Sequence, residues 1–94
     1  MLNIDLSKKA QEFLAKIPRK HAEQITKKID KLAEDPAAFK AKQLQGYPRF
    51  QRIKSGDYRI IYRIENEILM LYVVRVGKRN DGEVYKGLDE LDAE

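Results

Sequence analysis

The chain has no cysteine and a single histidine, His21. Without cysteine, no disulfide or thiolate site supports the fold, which suits a reducing cytoplasm. Without a second histidine there is no histidine pair for a metal site or for acid–base work. His21 itself opens a segment read below as a helix, where a surface or helix-end role is the ordinary one. No apolar run is long enough to cross a bilayer, and the N-terminal MLNIDLSKK lacks the apolar stretch of a signal peptide. The expectation is a soluble, cytoplasmic protein. A glycine-rich phosphate loop ahead of a helix, a metal-ligand cluster and a Ser-His-Asp set are also missing. No cofactor is implied.

Acids are scarce where bases are dense. From Lys40 to Asn80 there are ten Lys or Arg and only three acids, Asp57, Glu65 and Glu67. From Asp81 to the end there are six acids and one base, Lys86. The net charge of +4 hides this split. A cationic sheet followed by an acidic tail points to a nucleic-acid partner, although a charge cluster is more often only a solvated face.

Ninety-four residues make one domain, residues 1–94. Leu2 to Leu6 alternates apolar and polar residues and predicts a short strand. Ser7 is placed to cap a helix in which Ala10, Phe13, Leu14 and Ile17 form one stripe. Pro18 breaks this helix and opens a second, with Ala22, Ile25, Ile29, Leu32 and Ala33 at a period near 3.6. Pro36 stops it near Asp35. The many lysines of these helices lie mostly off the seam, as a solvated face requires. Pro36 to Leu44 is read as a connector with room for one helical turn. Gly46-Tyr47-Pro48 punctuates the chain before the sheet.

The sheet follows. RIKSGDYRIIY, Arg52 to Tyr62, predicts strand, tight turn at Ser55-Gly56-Asp57, and strand. Alternation puts Tyr58, Ile60, Tyr62 and Ile64 on one face and Arg59, Ile61 and Arg63 on the other. A turn at Glu65-Asn66-Glu67 leads to a strand from Ile68 to Val76 that is apolar on both faces, as a central strand is. Gly77 ends it. Gly87 to Glu94 reads as a short helix or a frayed end. The expected fold is α+β: a mainly antiparallel sheet of about four strands (Leu2–Leu6, Phe50–Lys54, Tyr58–Ile64, Ile68–Val76), with the N-terminal helix pair on one face.

The residues left to carry chemistry are Arg52, Lys54, Arg59, Arg79 and Tyr85. Such a set can hold a phosphate and stabilise charge that builds on it. Tyr85 can stack on a base or donate a proton. Arginine and lysine lose their protons only well above neutrality, so neither is a ready base there. A site of this kind works by positioning and electrostatics. RNA suits it, because its 2′-OH is already an internal nucleophile. Arg49, Arg63 and Lys78 are further candidates for RNA contact.

On RIKSGDYRIIY, and on VGKR with EVY between Val76 and Tyr85, the chain resembles the RelE toxins of bacterial and archaeal toxin–antitoxin systems, within the wider RelE/ParE superfamily. The resemblance spans nearly the whole chain and implies a single toxin domain with a microbial-RNase-like fold. The first motif is widespread in the superfamily; the second is closer to RelE. The resemblance implies a ribosome-dependent endoribonuclease that needs no metal, cleaves mRNA in the A site and so inhibits translation. It implies a RelB-like antitoxin, the ribosome and mRNA as partners, and a toxin–antitoxin hetero-oligomer. Residue by residue, Arg59 matches the arginine that holds the scissile phosphate. Arg79 matches the one that stabilises or protonates the leaving 5′ oxygen, and Tyr85 the tyrosine that stacks on or orients the base. Arg52 and Lys54 stand where the family carries bases near the 2′-OH and the phosphate. Two other readings remain: a ParE-like inhibitor of DNA gyrase that binds and cleaves nothing, and a degenerate member that only binds antitoxin or RNA. Arg79 and Tyr85 at this spacing favour the nuclease.

Overall fold

A computed structural model of the chain describes residues 1–79. Strand β1 (Asn3–Leu6) leads into helices α1 (Lys8–Lys16) and α2 (Arg19–Glu34). Strands β2 (Lys42–Leu44), β3 (Tyr47–Ser55), β4 (Tyr58–Glu65) and β5 (Met70–Lys78) follow. They form one five-stranded sheet in the order β1-β5-β4-β3-β2. β1 runs parallel to β5, and the other pairings are antiparallel. The fold is α+β as expected, with one strand more.

The helices lie on one face because their stripes are apolar there. Ala10, Ile25, Ile29, Leu32 and Ala33 are buried, and Phe13, Leu14 and Ile17 pack against them. From the sheet they meet Ile53, Tyr58, Ile60, Tyr62, Leu71 and Val73. Fully burying one such aliphatic side chain contributes roughly 1.5–3 kcal/mol. Ser7 caps α1, accepting from the Ala10 N–H at 3.1 Å. Pro18 caps α2 from outside, its carbonyl accepting from the His21 and Ala22 N–H groups. Asp35 closes α2, its N–H donating to the Lys31 carbonyl at 2.9 Å. His21 rests against Tyr58, ring centroids 5.4 Å apart, and Phe13 meets the same ring edge-on at 6.0 Å.

A second apolar cluster lies on the opposite face: Leu44, Phe50, Ile61 and Val74, with Tyr47 and Tyr72 packed on it. The sheet is therefore apolar on both sides at its centre.

Strand ends shift, with β3 beginning at Tyr47 and β5 running through Gly77 to Lys78, and three local features depart further from the sequence reading. First, β2 lies inside what reads as a connector. Of its three residues only Leu44 is buried, so no alternation marks it. Its pairing with β3 slips between Gln43 and Leu44, and that irregularity lets Pro48, which has no N–H, sit inside β3. Second, Ile68 and Leu69 are not in β5. A single 3₁₀ turn occupies Asn66–Ile68, and Leu69 adopts a left-handed conformation with φ of 54°, so the strand starts at Met70 with both leucine and isoleucine exposed. Third, the β4–β5 pairing carries a bulge: Ile61 pairs with Arg75 and Tyr62 with Val73, leaving Val74 as the extra residue. Ser7 holds this bulge from the other side. Its N–H donates to the Val73 carbonyl at 2.9 Å and its hydroxyl to the Val74 carbonyl at 2.7 Å.

The hairpin between β3 and β4 closes at the Ser55–Tyr58 pair, leaving Gly56-Asp57 as a two-residue loop. Gly56 has φ of +59° and Asp57 is not in the positive-φ region, which is the pattern of a type II′ turn with glycine first. An added Cβ at Gly56 meets nothing within 4 Å. Gly56→Ala should therefore cost only the left-handed backbone, roughly 1–2 kcal/mol. Urea unfolding should show a lower midpoint at an unchanged slope.

Tyr62 is buried, and its hydroxyl donates to Gln51 Oε1 at 3.2 Å. Burial raises its pKa above the ordinary 10.0. The folded state thus favours the neutral phenol, and this contribution to stability is intact below pH about 10 and lost as pH rises beyond it. Denaturation midpoints measured between pH 8 and 11 should fall more steeply at the alkaline end for the wild type than for Tyr62→Phe.

Candidate active site

The face away from the helices carries the candidate residues. Alternation along β3 buries Ile53 against the helices, which turns Arg52 and Lys54 to the other side. Alternation along β4 does the same for Arg59, between Tyr58 and Ile60. The register then makes two rows across the sheet. Lys42, Arg52, Ile61 and Arg75 pair in sequence across β2, β3, β4 and β5. Lys54, Arg59 and Gly77 form the second row across β3, β4 and β5.

Lys54 stands directly opposite Arg59. Like charges facing each other across an antiparallel pair are unfavourable, and such cross-strand terms run to roughly 0.2–1 kcal/mol. The arrangement weakens the sheet and suits an anion held between the two. Arg59 is half-buried and Lys54 exposed. Its partner on β5, Gly77, has no side chain.

Arg79 follows the end of β5 and is exposed. Its backbone N–H donates to the Asp57 carbonyl at 2.7 Å, so the type II′ turn fixes where this residue leaves the sheet. It lies two residues beyond Gly77, the partner of Arg59. At a rise of about 3.3 Å per residue and a strand spacing of about 4.8 Å, the two Cα atoms are roughly 8 Å apart. Two arginines at that spacing can share one phosphate. An open depression of about 410 Å³ lined by Asp57, Tyr58, Lys78 and Arg79 adjoins this corner.

The other candidates are placed differently. Lys78 is exposed at the end of β5 and pairs with Tyr58. Arg63 is engaged within the protein: Nη1 is ion-paired with Glu65 Oε1, and the guanidinium lies 4.1 Å from the centroid of the Tyr72 ring. Arg49 lines a separate depression with Gln51, Tyr62, Arg63 and Glu65. Tyr85 lies outside the described residues. Among the described residues no group of His, Asp and Glu side chains could hold a metal ion, and no helix is long and apolar enough to cross a membrane.

Arg75 is a cation of this face that simple alternation misplaces. Counting by twos from Leu71 and Val73 puts Arg75 on the helix side and Val76 on the other. The bulge at Val74 reverses this: Val76 joins the core, and Arg75 pairs with Ile61. Its Nη1 donates to the Val74 carbonyl at 2.7 Å. Only the preference of arginine for the wet side could have marked it.

Known proteins agree with this architecture. Residues 4–82 match the family model described as ParE toxin of type II toxin-antitoxin system, parDE. The mRNA interferase toxin RelE of Escherichia coli (strain K12) is 33% identical over 84 residues, 87% of each chain. The crystal structure of the isolated E. coli RelE toxin superposes with a TM-score of 0.71 at 28% identity, covering 97% of this chain and 98% of that one. The toxin in the intact E. coli RelBE toxin–antitoxin complex gives a TM-score of 0.71 at 28% identity, covering 86% of this chain and 100% of that one. The cationic sheet face, the helix pair behind it and these matches together place the chain in the RelE/ParE superfamily of type II toxin–antitoxin toxins.

Proposed function

We propose that this protein is the toxin of a type II toxin–antitoxin pair and acts in the cytoplasm as an endoribonuclease, cleaving mRNA in the ribosomal A site. The Lys54–Arg59 pair carries the reading: two cations set directly opposite each other across β3 and β4, on the sheet face away from the helices. The likeness to an mRNA interferase supports it.

The chemistry is internal transesterification. The ribose 2′-OH attacks the neighbouring phosphorus, the bond to the 5′ oxygen breaks, and a 2′,3′-cyclic phosphate and a 5′-hydroxyl result. Arg59 holds the non-bridging oxygens, where negative charge gathers in the transition state. Arg79 faces the departing 5′ oxygen and stabilises the charge it develops. Arg52 and Lys54 flank the 2′-OH and favour loss of its proton to water, and the departing 5′ oxygen takes a proton from water in turn. Tyr85 supplies a surface on which a base stacks. None of these groups is a strong base at neutrality, so the rate depends on aligning the 2′-OH in line with the leaving oxygen. The ribosome provides that alignment by holding the codon. The reaction needs no metal ion. Arg49 and Lys78 add phosphate contacts; Arg63, held by Glu65 and Tyr72, contributes through the shape of the sheet.

A RelB-like antitoxin would neutralise the toxin by laying carboxylates against Arg59 and Arg79, within a hetero-oligomer. Its binding should weaken as salt rises.

Single-turnover cleavage on programmed ribosomes tests the proposal. Arg59→Ala and Arg79→Ala should each slow cleavage by roughly a hundred-fold or more, the effect of losing about 2.7–4 kcal/mol of transition-state stabilisation. Ribosome affinity should change far less, because other lysines also meet phosphates. Tyr85→Phe should retain much of the activity and Tyr85→Ala little. If Arg79→Ala still arrests growth, leaves mRNA intact and inhibits gyrase, the protein is a ParE-like gyrase poison instead.

A further inference from the structure

We infer that a groove at the open edge of β3 is a second seat for the phosphate backbone of single-stranded RNA, continuous with the Lys54–Arg59 face. The inference rests on the proposed RNA substrate and extends the site beyond the scissile phosphate.

The groove exists because β2 is short. It pairs with β3 only as far as Lys42 opposite Arg52, so the edge of β3 at Ile53 and Lys54 has no strand beside it among the described residues. The chain before β2 and the middle of α2 wall off that edge. They leave an open cavity of about 590 Å³, within the range of roughly 300–1,000 Å³ typical of ligand sites. Its cations are Lys28, Lys40, Lys42, Arg52 and Lys54, and among the described residues no carboxylate lines it. The two depressions described above each include one, Glu65 in one and Asp57 in the other.

Exposed lysines alone would be an ordinary solvated surface. Lys28 is different. It is half-buried, its ammonium donates to the Lys54 backbone carbonyl, and it sits 4.9 Å from the centroid of the Phe39 ring. The aromatic ring and the carbonyl fix this charge at the groove and remove part of its water. Lysines from α2, from the connector and from β2 thus converge with two residues of β3 on one concavity. Bringing cations together on one concavity opposes folding through mutual repulsion, and a bound polyanion offsets it.

The position names the occupant. Lys54 borders the groove on one side and faces Arg59 on the other. With strands about 4.8 Å apart, the open edge is roughly 10 Å from Arg59. A polyanion whose scissile phosphate lies at Arg59 can cross β3 and lay its neighbouring phosphates in the groove. A single strand does this readily, being flexible and charged at every nucleotide.

The test measures binding apart from cleavage. The probe is a short single-stranded RNA, 2′-O-methylated throughout and so lacking the nucleophile. Its affinity for the full-length protein is read by fluorescence anisotropy over a range of salt. Lys40→Glu combined with Lys42→Glu, both exposed positions, should weaken binding roughly tenfold or more. It should also flatten the salt dependence by about 1.4 in log–log slope, the loss of two single-strand phosphate contacts. Lys8→Glu combined with Lys9→Glu changes net charge equally on α1, away from the groove, and should have a much smaller effect. Equal losses from the two pairs would overturn the inference, as would a probe that fails to bind the wild type at low salt. Unchanged RNA binding with lost affinity for an acidic peptide would overturn it too, and make the groove a protein seat. Arg59→Ala separates the two readings: it should slow cleavage on the ribosome by roughly a hundred-fold or more while costing the probe only one phosphate contact, about 0.7 in log–log slope.

Discussion

The burial of Ile60 and Tyr62 against the helices sets the register of β4, and the rest of the structure follows from that register. Both side chains are inaccessible to solvent. Their neighbours Arg59, Ile61 and Arg63 are thereby committed to the opposite face. A slip of one residue would drive Arg59 into the core, and an uncompensated buried charge costs several kcal/mol. The same packing that stabilises the fold therefore also aims the cations. Under the proposed function, the site is made by what occupies the unburied half of a strand whose other half is fixed by the core.

Helices and central strands were legible because their patterns are long and clean. The stripes of α1 and α2, the stop at Asp35 and the two faces of β4 all appear where the periodicity puts them. The features that escaped are short or break the period. β2 has three residues and one buried side chain, too little for alternation to register. The left-handed Leu69 shortens β5 in a way that no leucine announces. The bulge at Val74 is the most instructive, because it misassigns two residues at once, sending Val76 to the wrong face and Arg75 with it. A bulge shows in sequence only as a fault in alternation, and a strand that is apolar on both faces hides the fault. The groove beside β3 was out of reach for another reason: it joins Lys28 to Lys54 across 26 residues, a proximity no local pattern contains. Of the candidate site, Arg52, Lys54 and Arg59 were placed by alternation, whereas Arg79 and Tyr85 stood out only as residues left to carry chemistry and took their specific roles from the family resemblance.

The second apolar cluster explains how a cationic face stays ordered. Phe50 and Ile61 are fully buried on that side of the sheet, beside Leu44 and Val74. Charges at Arg52 and Arg59 thus rise from an apolar floor and are not free on a polar one. Lower local polarity strengthens any anion contact they make, and it equally sharpens the repulsion between them. A polyanion relieves the repulsion, so binding should stiffen this half of the protein more than the helix half.

The bulge at Val74 means that β5 is written in two frames. Up to Val73 the odd-numbered residues face the helices; from Val76 the even-numbered ones do. Ser7 pins the junction through both carbonyls. The two ends of the strand are thereby released from a common parity. The first end can drift in sequence to suit its packing with β1 and α1, and the second keeps its own alternation for Arg75, Gly77 and the exit to Arg79. A single extra residue thus acts as a partition within one strand, separating the stretch that packs with β1 and α1 from the stretch that runs alongside Arg59.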